Sequence, residues 1–190
     1  MTLPASAAAR PFSPLRLEDR SRGVQFLAVV AGTAILALAS RVEVPMVPVP
    51  VTLQTLAVTL IGALYGWRLG AITVLAWLGQ AAIGLPVLAS GKFGLAPFVG
   101  PTAGYLFAFP LVAALTGWLA ERGWTGERVV ASFSAMLLGN ALCLVLGFAW
   151  LATLIGAEKA FAVGVAPFLV GAVLKSAVGA LALRVAPPRR

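Results

Sequence analysis

The sequence predicts an all-α protein, an integral membrane bundle of six transmembrane helices. Three observations carry that expectation. Hydrophobic residues make up 61% of the 190 residues and charged residues only 11%, whereas an ordinary soluble domain is about 25% charged. So little polar surface could not cover so much apolar side chain in water, and the same apolar content excludes disorder. The few charges divide the chain into long apolar runs. The positive charges are also unevenly distributed between the two ends of those runs.

The runs can be taken in order. Gly23–Ser40 holds 18 uncharged residues, Val44–Trp67 24, Leu69–Gly91 23, Phe93–Ala120 28 and Val129–Ala157 29. Ala160–Leu183 is 24 residues long and Lys175 is its only charge. Crossing the hydrocarbon core as a helix takes about 20 residues. Barrel strands would be about ten residues long and would alternate apolar with polar, which these runs do not. The expected helices are 24–40, 51–66, 69–85, 102–120, 129–156 and 167–186. Pro167 suits the first turn of the last one, where no N–H is required.

Between the helices, Val42–Val51 contains Pro45, Pro48 and Pro50 and is still mostly apolar. It reads as an irregular loop packed against protein. Pro86–Pro101, with Gly84, Gly91, Gly94 and Gly100 in or beside it, reads as a second structured loop. Residues 1–20, with Pro4, Pro11 and Pro14, are expected to be a flexible cytoplasmic tail, and 21–190 the transmembrane domain. Ala37-Leu38-Ala39 resembles a signal-peptidase site, but 22 residues precede Gly23 and the apolar run is long, so the first helix is read as uncleaved.

With the N-terminus inside, ten Arg residues (10, 16, 20, 22, 68, 122, 128, 184, 189 and 190) fall on the inner side. Only Arg41, Lys92 and Lys159 fall outside. This positive-inside bias places both termini in the cytoplasm.

Composition also removes chemistry. The chain has no histidine, so His-based catalysis and most zinc sites are not expected. Its single cysteine, Cys143, can form neither an internal disulfide nor a cluster. The net charge of +8 is scattered rather than gathered into a basic patch with interleaved aromatics, so nucleic acid is not an expected partner. Gly91-Lys92 is followed by Phe93 and is not a phosphate loop. No Asp or Glu falls inside the expected helices, which leaves no carboxylate proton relay. The chain is equipped to bind something and lacks its own energy source. No cofactor or metal is expected.

The candidate binding residues begin with Lys175. It lies about 12 Å into the last helix, and an intramembrane lysine costs about 2.5–3.5 kcal/mol at a helix centre. It reads either as a contact to an anionic or carbonyl-bearing substrate or as a snorkelling side chain. Gly171 and Gly179, one turn to either side, keep its face narrow. Thr52, Gln54 and Thr55 open the second helix, where they can bind a ligand or cap the helix. Asn140 should face the bundle, with interhelical bonding as its plainer role. Lys92, like Arg41, Glu43, Glu158 and Lys159, reads first as an outer interfacial charge. Trp67, Trp118, Trp124 and Trp150 sit near helix ends as belt residues do, whereas Trp77 is central and reads as packing. The spaced small residues Ala28 and Gly32, and Thr33 and Ala37, allow close helix contact within the bundle or with a partner.

The ordered motifs Val49-Pro50-Val51-Thr52-Leu53-Gln54-Thr55-Leu56, Gly66-Trp67-Arg68-Leu69-Gly70-Ala71, Ala82-Ile83-Gly84-Leu85-Pro86-Val87, Gly100-Pro101-Thr102-Ala103-Gly104-Tyr105 and Pro167-Phe168 with Lys175 resemble the BioY family over roughly residues 24–185. That family comprises the biotin-binding S components of energy-coupling factor (ECF) transporters. The resemblance implies a six-helix S-component fold in the cell membrane, with biotin bound near the outer face and the first interhelical loop helping to cover it. It implies a transmembrane T component and two ABC ATPases as partners, in addition to membrane lipid. The substrate-binding candidates on this reading are Lys175, Gln54, Thr52, Thr55, Lys92, Tyr105 and Asn140. Ala28, Gly32, Thr33 and Ala37 become the candidate contacts to the T component. One departure stands out: where the family's last helix usually carries an Asp three residues before its Lys, this chain has Ala172. An S component for another vitamin is the alternative. An integral-membrane enzyme is a weaker one, since few catalytic pairs can be built without His or buried carboxylates.

Overall fold

The computed structural model describes residues 14–15, 17–126 and 128–185. Among them are seven helices: α1 (Arg22–Arg41), α2 (Gln54–Tyr65), α3 (Trp67–Ala82), α4 (Ala103–Glu121), α5 (Val129–Ile155), α6 (Ala157–Gly164) and α7 (Phe168–Val185). Two short strands, β1 (Glu43–Val44) and β2 (Val51–Thr52), pair antiparallel between α1 and α2. Four helices, α1, α4, α5 and α7, are long and apolar enough to cross a membrane, and α2 is a shorter apolar helix. The architecture is an all-α membrane bundle with a small hairpin at one end.

The bundle differs from expectation at its edges, for local reasons. The second helix starts at Gln54 rather than 51 because Val51 and Thr52 pair with Val44 and Glu43. The prolines between the strands remove N–H donors, and the linker bends over 47–49 without regular structure. The third helix ends at Ala82, three residues early, where Gly84 turns the chain at φ 106°. It starts two residues early because Gly66, at φ 83°, turns directly from α2 into α3. The last helix starts at Phe168, with Pro167 just outside it. The extra helix, α6, is an eight-residue segment between α5 and α7 that carries Glu158 and Lys159 on its exposed face. Most of the expected tail over 1–20 lies outside the described residues. Its last part, however, is held in place: Leu17 is buried, and Gln25 Nε2 donates to the carbonyls of Leu17, Glu18 and Arg20.

Packing follows the small residues. A Cβ on Gly62 of α2 would lie 2.3 Å from both the Ala113 carbonyl oxygen and Thr116 Oγ1 of α4. One on Gly147 of α5 would lie 2.1 Å from the Tyr105 ring. The first approach brings backbone against backbone and the second seats an aromatic ring on backbone, which is how membrane helices gain dispersion energy without a hydrophobic drive between them. The same principle turns one face of α1 inward. Gly32 meets Thr73 and Tyr65, Thr33 is buried and accepts from Gln80 Nε2, and the Ala28 carbonyl accepts from the Tyr65 hydroxyl. The opposite face exposes Phe26, Leu27, Val30, Ile35 and Leu38.

Gly62→Leu is expected to destabilise the bundle by about 1–3 kcal/mol through overpacking. A thermal melt of the detergent-purified protein reads this, and an unchanged midpoint would contradict the close α2–α4 contact.

Candidate functional site

A largely apolar cavity with a few convergent polar groups opens at the hairpin end of the bundle, the usual character of a small-molecule site. Its walls come from β2, α2, α4, α5 and α7, and its roof from the segments around Val49–Pro50 and Leu88–Pro97. All seven candidate residues line it: Thr52, Gln54, Thr55, Lys92, Tyr105, Asn140 and Lys175. The small residues of α1 do not.

Lys175 dominates the polar side. Its Nζ donates to the backbone carbonyl of Thr52 and, at 3.2 Å, to Thr55 Oγ1. These two acceptors offset the cost of holding an ammonium within an apolar helix, and a third N–H is left for a ligand. The lysine therefore points across the bundle rather than snorkelling along its own helix. Beside it, Asn140 Nδ2 donates to the Met136 carbonyl at 3.0 Å and to Ser176 Oγ at 3.2 Å, bonding α5 to α7. Both amide N–H groups are engaged, which leaves Oδ1 as an acceptor.

Thr52 acts as a cap and also presents its carbonyl. Its Oγ1 accepts from the Gln54 N–H at 3.2 Å, satisfying a free donor at the start of α2. The same hydroxyl donates to Gln54 Oε1 at 3.0 Å, and Gln54 Nε2 donates to Ser40 Oγ of α1 at 2.9 Å. Gln54 lines the cavity with both ends of its amide already engaged. Ser40, fully buried, completes this set and was not evident from sequence, because a single serine in an apolar helix carries no spacing signal.

The rest is apolar. Tyr105 stacks on Phe168 with ring centroids 6.3 Å apart, and its hydroxyl donates to the Gly164 carbonyl at 2.8 Å, so it braces α6. Leu106, Phe109, Cys143 and Leu144 fill the wall between the two polar ends. Trp77 does not line the cavity. It is buried against Phe109 and donates to the Val87 carbonyl at 3.1 Å, anchoring the second roof segment. Trp150 anchors the same segment further along by donating to the Gly100 carbonyl at 2.9 Å.

Two of the outer charges tie the roof together. Glu43 accepts from the Ser90 N–H at 3.0 Å and the Ser90 hydroxyl at 2.8 Å, and the Arg41 guanidinium donates to the Pro86 carbonyl. Lys92 is exposed at the mouth. No carboxylate lines the cavity among the described residues, and two lysines do, so its field is positive. Ala172, one helical turn before Lys175, also lines it.

Residues 15–189 match the BioY family. The chain is 42% identical over 154 residues to the biotin transporter BioY of Rhizobium etli, covering 77% of this chain and 82% of that protein. It is 39% identical over 158 residues to the biotin transporter BioY of Rhodobacter capsulatus, covering 74% and 82% respectively. Its fold superposes with a TM-score of 0.76 on the crystal structure of the S-component for biotin from an ECF-type ABC transporter, at 26% identity, covering 87% of this chain and 93% of that one.

Proposed function

The chain belongs to the BioY family, and we propose that it captures biotin as the S component of an ECF importer. It is a multi-pass membrane transporter subunit rather than an enzyme. The observation that carries the reading is the Lys175 ammonium, fixed by Thr52 and Thr55 with one N–H still available, in a cavity that has a second lysine at its mouth.

Biotin's chemistry suits this arrangement. Its ureido ring offers a carbonyl acceptor and two N–H donors, which match the remaining Lys175 N–H and Asn140 Oδ1. Its carboxylate, at the end of an aliphatic chain, matches Lys92 at the mouth. Phe109, Leu106, Leu144 and Phe168 supply apolar wall for the parts between. Thr52, Thr55 and Tyr105 shape the pocket around the ligand, and Gln54 holds Thr52.

The wider assembly follows from the S-component reading. A T component and two ABC ATPases supply the energy that this chain has no phosphate loop to use. The first helix meets the T component with its outward face; Gly32 and Thr33, expected there, instead pack inside the bundle against α2 and α3, because their small size admits Tyr65, Thr73 and Gln80. Six crossings, made by α1 to α5 and α7 with α6 lying at the outer interface, put both termini in the cytoplasm. The excess of Arg at that end supports this orientation. A fluorescent reporter fused to the C-terminus is expected to fold and fluoresce inside the cell; a dark fusion that is active only as a periplasmic reporter would reverse the topology.

Purified protein is expected to retain biotin in competition with other vitamins, and retention of a different vitamin instead would move the substrate. Lys175→Ala removes a hydrogen bond from a charged donor, worth about 1.5–3 kcal/mol, so affinity should fall by about 10- to 150-fold in equilibrium binding. Unchanged affinity would remove Lys175 from the site.

Ala172 bears on strength rather than identity. An Asp there would neutralise Lys175 from one turn away and offer a ligand N–H a second acceptor. Binding by this chain is therefore weakened or rearranged relative to a protein with the pair. Ala172→Asp is expected to tighten biotin binding by about tenfold, one charge-assisted hydrogen bond; equal affinities would show that the missing carboxylate has no effect here.

A further inference from the structure

Lys175 is held by a chain of hydrogen bonds that begins outside the cavity. Ser40, in the last turn of α1, donates its hydroxyl proton to the Leu36 carbonyl at 2.7 Å. Its oxygen is then left to accept from Gln54 Nε2 at 2.9 Å. This orients the Gln54 amide with Oε1 towards Thr52, whose hydroxyl donates to it at 3.0 Å. The Thr52 carbonyl in turn takes the Lys175 ammonium. Every bond in the series donates towards α1, and Lys175 makes one further bond, to Thr55 Oγ1. Ser40, Gln54 and Thr52 are all buried, at 0%, 6% and 8% exposure, and water does not readily substitute for a lost member.

We propose that Ser40 is a positioning residue for the binding site: through Gln54 and Thr52 it sets where the Lys175 ammonium stands, without itself touching the cavity. This gives Gln54 a holding role, because one amide N–H goes to Ser40 and Oε1 accepts from Thr52. It makes the outer end of α1 part of the affinity-determining machinery. The proposal rests on Lys175 being the ligand-binding cation of the biotin reading, but the placement of that cation can be read without any ligand.

Two measurements test it. The first is the reactivity of Lys175 to reductive methylation in ligand-free, detergent-purified protein, quantified by mass spectrometry. The exposed Lys92 and Lys159, the only other lysines, serve as internal references. Ser40→Ala and, independently, Gln54→Leu are each expected to raise Lys175 labelling about fivefold relative to those references, as a buried hydrogen bond is lost. Unchanged labelling in both variants would overturn the proposal.

The second is a double-mutant cycle on biotin affinity. Ser40→Ala is expected to weaken binding about fivefold in the parent and to have no effect in a Lys175→Ala background, although its loss of thermal stability persists in both. Equal weakening in the two backgrounds would mean that Ser40 acts through packing alone and would overturn the proposal. If the parent retains no biotin while Lys175 labelling still responds to Ser40→Ala, the positioning role stands and the substrate reading fails.

Discussion

The organising constraint is the need to provide hydrogen-bond acceptors for an ammonium group inside an apolar helix. Among the described residues, no carboxylate lines the cavity beside Lys175. Its charge is met by a backbone carbonyl and a threonine hydroxyl from the far side of the bundle. A carbonyl is free to serve in this way only where backbone leaves regular helix. The β1–β2 hairpin and the late start of α2 meet that requirement, because the proline-containing linker bends the chain back and leaves Thr52 at the end of β2, outside regular helix. Irregular backbone at membrane depth is tolerated where protein buries it, and here it is buried by the site it builds.

Around that point the fold brings helices close and keeps the roof attached. Glycines at the α2–α4 and α4–α5 contacts remove the side chains that would hold those helices apart. The roof segments are tied to the bundle by Trp77 and Trp150, and to each other by Glu43–Ser90 and Arg41–Pro86. Trp150, read as a belt residue, and Arg41 and Glu43, read as interfacial charges, thus also serve as fasteners. The two roles are compatible, because a tryptophan or arginine has both an apolar body and a polar tip.

Much of the site was legible as a set of residues, and little of it as a set of bonds. All seven candidates line one cavity, since intramembrane polar side chains are costly and few places can hold them. Their roles needed the structure. Gln54 was equally a cap or a ligand contact from its position, and its amide proves to be shared between Ser40 and Thr52. Asn140 meets both expectations, bonding α5 to α7 while facing the cavity. Ser40 carried no signal because its importance lies in a neighbour 14 residues away. The early end of α3, the short α6 and the hairpin were missed because charge spacing locates apolar segments and does not see where helix gives way to turn or strand.

The sequence by itself determined the membrane class, the long apolar segments, the inner excess of arginine and the prominence of Lys175. These are local properties, read from hydropathy and charge along the chain. Only the tertiary structure decided what satisfies Lys175, which residues close the cavity and which face of α1 turns inward. The reason is physical: the acceptors for its ammonium lie 120 and 123 residues away. Hydrogen-bond partners at such separation are chosen by the packing of helices rather than by any pattern in the intervening sequence.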